Sequence, residues 1–186
     1  LPSMSFFWFC EQVLEKYKYD QRVGMIAGSN HISSIYMPES DYLFSKFKAC
    51  WGWASWARSW RNMDFEMEWL ESPNSGNVIR NMGGGKWSRS HWINALSSIK
   101  EGEVSAWDWQ WYFSLSAQNA LTIFPRVNLV ANIGFGNEAT HTFGAPKEEY
   151  LRSFEMNFPM SEPDHILPDF LFDDAFEKVK FKNGAV

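Results

Sequence analysis

Residues 4–18 carry an apolar side chain every three to four positions: Phe6, Phe9 and Cys10, Val13 and Leu14, Tyr17. The pattern then collapses into an unbroken apolar run, Val23-Gly24-Met25-Ile26-Ala27, closed by Gly28-Ser29-Asn30. A helical period followed by a short buried run reads as an amphipathic helix, with Ser3 or Ser5 near its cap, leading into a strand that ends in a tight loop. Similar signals recur down the chain. Tyr42 to Phe47 reads as a second strand and Trp53 to Trp60 as a brief helix; residues 88–100 are helical, with Trp92, Ala95, Leu96 and Ile99 on one side. Trp107 to Asn119 is a further helix before Leu121-Thr122-Ile123-Phe124, a strand stopped by Pro125, and Val127 to Ile133 reads as another strand. Helices of about 10–15 residues between short apolar strands predict an α/β layer arrangement with an incomplete sheet.

Two stretches lack such order. Residues 71–87, with Pro73, Gly76 and Gly83-Gly84-Gly85, are expected to form a mobile surface excursion. From Glu148 onward the chain is rich in Pro, Asp and Phe, and it reads as an extended tail on the same domain, with a terminal strand at Glu177 to Phe181.

Length and charge narrow the partners. A chain of 186 residues builds one core without staples, and 22 acidic against 17 basic residues leave a net charge of -5. No basic stripe exists to neutralise several phosphates, which argues against nucleic acid. No apolar run approaches the ~18 residues of a spanning helix, and the start lacks the charged region of a signal peptide. A cytoplasmic setting, or one peripheral to a membrane, is the expectation. Cys10 and Cys50 match no metal spacing and no C-x-x-C pair, so both read as ordinary thiols, although one disulfide stays possible. The chain starts at Leu1, within organised sequence, and reads as an excised piece.

Aromatic residues make up 18% of the chain, 11 of them Trp, and they gather where chemistry is most plausible. In Trp107-Asp108-Trp109-Gln110-Trp111 three indoles surround a carboxylate at a helix start, where free N–H groups stabilise it. Asp108 is either a general base aimed into an aromatic pocket or a first-turn acid beside core tryptophans. In Cys50-Trp51-Gly52-Trp53 the glycine permits close approach of chain or ligand between two large rings, which either pack inward or line a sugar cleft. Glu138 and His141 lie three apart in a glycine-spaced loop and have the residue types for a metal or phosphate contact; a loop histidine held by one hydrogen bond is the competing reading. His31, after the strand-end Asn30, is a weaker pocket candidate. Asp173-Asp174 is a pair by adjacency alone, and neighbouring side chains point apart.

Five ordered motifs carry a resemblance: Pro2-Ser3-x-x-Phe6-Phe7, Ile26-Ala27-Gly28-Ser29-Asn30, Trp51-Gly52-Trp53-Ala54-Ser55-Trp56, Trp107-Asp108-Trp109-Gln110-Trp111 and Asn132-Ile133-Gly134-Phe135-Gly136-x-x-Ala139-Thr140-His141-Thr142. Over roughly residues 1–145 the chain resembles the C-terminal half of bacterial nucleotide-diphospho-sugar transferases of GT-A type, which are distantly similar to the N-acetylglucosaminyltransferase I group. The resemblance implies the C-terminal portion of a Rossmann-like GT-A fold with an incomplete mixed sheet, residues 1–147 forming its acceptor-side part and 148–186 the tail. It implies a hexosyltransferase of polysaccharide biosynthesis that moves a sugar from a nucleotide-sugar donor to a saccharide or glycolipid acceptor with inversion. Asp108 would be the base; Trp51, Gly52, Trp53, Trp107, Trp109, Trp111 and Asn30 would line the substrate cleft; His141 and Glu138 would reach the metal or diphosphate. A divalent metal, Mn²⁺ or Mg²⁺, is implied, with its main carboxylate ligands in a segment before Leu1, so this piece alone is expected to be inactive. An uncovered sheet edge would favour self-association. The competing expectation is a non-catalytic carbohydrate-binding or protein-interaction module that uses the tryptophan-rich surface.

Overall fold

A computed structural model describes residues 1–103, 107–134 and 148–182. The order along the chain is α1 (Met4–Lys16), β1 (Val23–Ala27), β2 (Tyr42–Ser45), β3 (Trp53–Ala54), α2 (Ala57–Trp60), a 3₁₀ turn at Glu68–Glu71, α3 (Ser75–Asn81), α4 (Lys86–Lys100), α5 (Trp107–Ala117), β4 (Leu121–Pro125), α6 (Glu148–Leu151), α7 (Phe170–Glu177) and a π-type turn at Lys178–Lys182. The four strands form one open mixed sheet in the order β2-β4-β1-β3. β4 runs parallel to β1 and antiparallel to β2, and β3 is antiparallel to β1 with Ala27 opposite Trp53. The fold is α/β, as the alternation of periods predicts.

Side-chain alternation divides the core between the two faces of the sheet. Tyr42, Phe44, Leu121 and Ile123 face α1 and meet its Phe9, Val13 and Tyr17. Leu43 and Phe124 point the other way, onto Phe172 and Phe176 of α7, while Met25 packs with Trp92 of α4 and with Trp111 and Phe113 of α5. β1 and β4 are buried at every residue because helices cover both faces.

Several local expectations change. Trp53 to Trp60 is a two-residue strand followed by a helix that starts only at Ala57. Val127 to Ile133 forms no strand: Val130 makes a single bridge to Pro2, and the Leu129 N–H donates to the Gly28 carbonyl. The expected terminal strand at Glu177 to Phe181 is the end of α7 and the turn that follows it. Residues 71–87 are no loose excursion. They contain α3, bury Met82, and bring Gly83 so close to Phe47 that a Cβ there would lie 2.6 Å from the ring.

Acids of the tail fasten the frame. Glu155 accepts the Met4 and Ser5 N–H groups at the start of α1, so the cap there comes from 150 residues away and not from Ser3. Asp169 caps α7 through the Leu171 and Phe172 N–H groups, and its own N–H donates to the Phe44 carbonyl, which covers the outer edge of β2. No helix among the described residues is long and apolar enough to cross a membrane.

Candidate functional site

Asp108 stands in the first turn of α5, where the helix dipole favours an anion. It is half-buried, and among the described residues its one hydrogen-bond partner is the Cys50 thiol, whose Sγ lies 3.3 Å from Oδ2. Burial pushes Cys50 up to about 11; the Tyr112 hydroxyl opposes that rise and the charge of Asp108 adds to it. The thiol therefore stays protonated at neutral pH and donates to the carboxylate. Tyr112, one turn along α5 and itself buried, is held well above the ordinary phenol range by burial, so it too remains a neutral donor. Both cysteines are free, and Cys10 is pushed up to about 12 by burial.

An indole cluster adjoins this carboxylate. Trp53 lies 6.0 Å from Trp107, 6.2 Å from Trp60 and 6.3 Å from Trp111 between ring centres, and Trp60 closes the group at 5.8 Å from Trp107. Exposure is graded across it: Trp107 and Trp60 are 43% and 41% accessible, whereas Trp111 is fully enclosed and supports the cluster from within. Gly52 makes the arrangement possible. Its φ is +64°, and a Cβ there would sit 2.5 Å from Val130 Cγ2, so neither conformation nor space admits another residue.

The glycine separates its two neighbours. Trp53 joins the cluster beside Asp108, while Trp51 packs against His31 at 5.1 Å and Tyr150 at 5.6 Å. His31 is deeply buried, and desolvation together with Lys180 pushes its imidazole down to about 2, so it is neutral. Lys180 Nζ lies 3.2 Å from Nδ1 and 2.8 Å from the Tyr150 hydroxyl. An ammonium has no lone pair to offer, so Nδ1 is the acceptor and the ring proton sits on Nε2.

Other predicted residues lie elsewhere. Trp109 turns toward α4, 6.3 Å from Trp92 and 6.0 Å from His91, and braces the two helices. Asn30 is fully buried; its amide donates to the Pro125 and Arg126 carbonyls, its Oδ1 accepts from the Ile32 N–H, and its main-chain N–H donates to Asn128. These bonds make it a fastening between the end of β1 and the chain after β4. Glu138 and His141 lie outside the described residues. Within those residues no three His, Cys, Asp or Glu side chains gather to hold a metal ion. Asp173 is buried and Asp174 exposed, so that adjacent pair is no dyad.

Another carboxylate stands at the start of α4. Glu177 is buried against the N-terminus of α4, where it accepts the N–H groups of Gly85, Trp87 and Ser88, and a Cβ on Gly84, whose φ is +55°, would collide with it. The triple glycine is thus a nest for the protein's own acid. Sequence reading missed both Cys50 as the partner of Asp108 and Glu177 as this cap. Both pairings join residues more than 55 positions apart, and no local pattern encodes them.

No family model, curated protein or solved structure matches the chain.

Proposed function

We propose that this chain is the acceptor-side part of a GT-A glycosyltransferase, with Asp108 as the base that activates the acceptor hydroxyl. The observation that carries the reading is the meeting of two distant segments, Cys50–Trp53 and Trp107–Trp111, around one half-buried carboxylate. The part-exposed faces of Trp107 and Trp60 suit the apolar face of a sugar ring, and the indole N–H edges supply donors. In the reaction the acceptor oxygen attacks the anomeric carbon as Asp108 takes its proton. The new C–O bond forms while the bond to the nucleoside diphosphate breaks, and the leaving group carries away the electron pair with inversion at carbon. Cys50 holds the carboxylate in place by its hydrogen bond.

A divalent metal on the donor diphosphate belongs to this reading by resemblance. No three His, Cys, Asp or Glu side chains among the described residues gather to hold it. The exposed apolar side chains Met4, Phe7 and Trp8 along α1 offer a surface on which a further part of such an enzyme would pack.

The test is sugar transfer by the full-length protein with Mn²⁺ or Mg²⁺ and a panel of nucleotide sugars, beside Asp108→Asn. Metal-dependent transfer that the variant loses supports the assignment; transfer that persists removes Asp108 as the base. A non-catalytic carbohydrate-binding module is the second reading, favoured by one observation: Asp108 already receives an inward hydrogen bond from Cys50. Saccharide binding without turnover of any donor would select it.

A further inference from the structure

At the opposite end of α5 a cavity of about 500 Å³ opens among Lys46, Trp69, Asn74, Asn77, Arg80 and Ser116. Ser116 follows Asp108 by eight residues, so the two sites lie about 12 Å apart along the helix at a rise of 1.5 Å per residue. The volume falls within the range of roughly 300–1,000 Å³ typical of small-molecule sites. Among the described residues no acid lines the cavity and neither Lys46 nor Arg80 is in an ion pair, although the chain as a whole carries a charge of -5.

The floor is built from buried polar groups. Ser116 is 2% exposed, and its Oγ accepts a 2.8 Å hydrogen bond from the buried Lys48. The nearby acid, Asp173, bonds to the Ser45 hydroxyl and the Lys46 N–H, and it does not face the cavity. Along the rim Asn74, Asn77 and Asn81 recur at three- and four-residue intervals, which places three amides on one side of the α3 segment. Asn81 Nδ2 is held by the Ser116 carbonyl and Asn119 Oδ1, which fixes that side against α5.

We infer that this cavity binds an anionic saccharide, a sugar ring bearing a carboxylate. Arg80 and Lys46 meet the charge, Arg80 with a planar fork that matches a carboxylate, while the amides and Ser116 meet the ring hydroxyls and Trp69 forms an apolar wall. The inference concerns binding alone and stands or falls apart from the role of Asp108.

Isothermal titration of the full-length protein with glucuronate, glucose and inorganic phosphate tests it, using the wild type, Arg80→Ala, Arg80→Lys, Lys46→Ala and Asp108→Asn. Glucuronate should bind at least tenfold more tightly than glucose or phosphate. Arg80→Ala and Lys46→Ala should each weaken it at least fivefold, Arg80→Lys less, and Asp108→Asn not at all. Equal binding of glucose removes the charge requirement, and equal binding of phosphate removes the sugar. Absence of glucuronate binding, or binding that Arg80→Ala and Lys46→Ala leave intact while Asp108→Asn weakens it, overturns the assignment of this cavity.

Discussion

Several helices of this protein start beside a carboxylate, and the acids at α4 and α5 are in opposite situations. At α4, Glu177 arrives from the tail, is 5% exposed, and has its oxygens filled by three main-chain N–H groups and the Ser88 hydroxyl. At α5, Asp108 belongs to the helix itself, is half-buried, and meets one thiol beside part-exposed indoles. A carboxylate saturated by donors is a structural clasp, because moving it leaves several buried N–H groups without a partner. One that, among the described residues, has a single hydrogen-bond partner beside an accessible aromatic wall is a candidate to take up a proton. The glycine-rich loop at residues 83–85, the feature a motif search would favour as a ligand cradle, is therefore already filled, and the plainer Asp108 is the better candidate.

That contrast can be broken by stability measurements. Glu177→Ala should lower the unfolding free energy by roughly 2–3 kcal/mol, since three N–H groups at a buried helix start lose a charged acceptor. Urea unfolding followed by tryptophan fluorescence reads this, and a loss under 0.5 kcal/mol would deny Glu177 its role. His31 gives a second handle, through pH. Its folded-state value near 2 lies below the unfolded value of 6.5, so only the unfolded chain takes up the proton between them. The stability this confers is complete above about 6.5 and declines as pH falls toward 2. The wild type should lose up to about 1.4 kcal/mol per pH unit more than His31→Asn in that window. Equal slopes for the two proteins would show that the buried ring is protonated in the folded state.

The smallest effect reports on Asp108 directly. Asp108 raises the Cys50 thiol, so Asp108→Asn in a Cys10→Ala background should speed alkylation of Cys50 at pH 8, by less than tenfold because burial is the larger cause. An unchanged rate would mean that the carboxylate and thiol do not interact.

Sequence periodicity revealed the parts of the frame whose pattern is local. α1 and α4 repeat apolar residues at helical spacing, α5 is apolar around most of its circumference, and β1, β2 and β4 are short, mostly apolar runs. β3 escaped because it has two residues and exists only by pairing with β1. α3 escaped because Ser75, Gly76 and Asn77 are poor helix formers, and packing of Val78 and Ile79 into the core overrides them. Its amides at positions 74, 77 and 81 were a helical signal inside a stretch read as irregular. α7 shows the same limit: Phe172 and Phe176 are one turn apart, but Pro168 and the acids beside them resemble tail composition, and their destination on Phe124 is a long-range fact. For the site, the indoles and Asp108 stood out as types, whereas the division of Trp51 from Trp53 across Gly52 needed a positive φ that sequence only permits.

The most direct test of the central claim is a paired measurement on Asp108→Asn and Glu177→Gln, each assayed for sugar transfer and for urea unfolding in the full-length protein. Asp108→Asn should lose about 10²–10⁴-fold in transfer with an unchanged unfolding midpoint, while Glu177→Gln should unfold at lower urea and still transfer when folded. Transfer that survives in Asp108→Asn, or that vanishes in a fully folded Glu177→Gln, would contradict that claim.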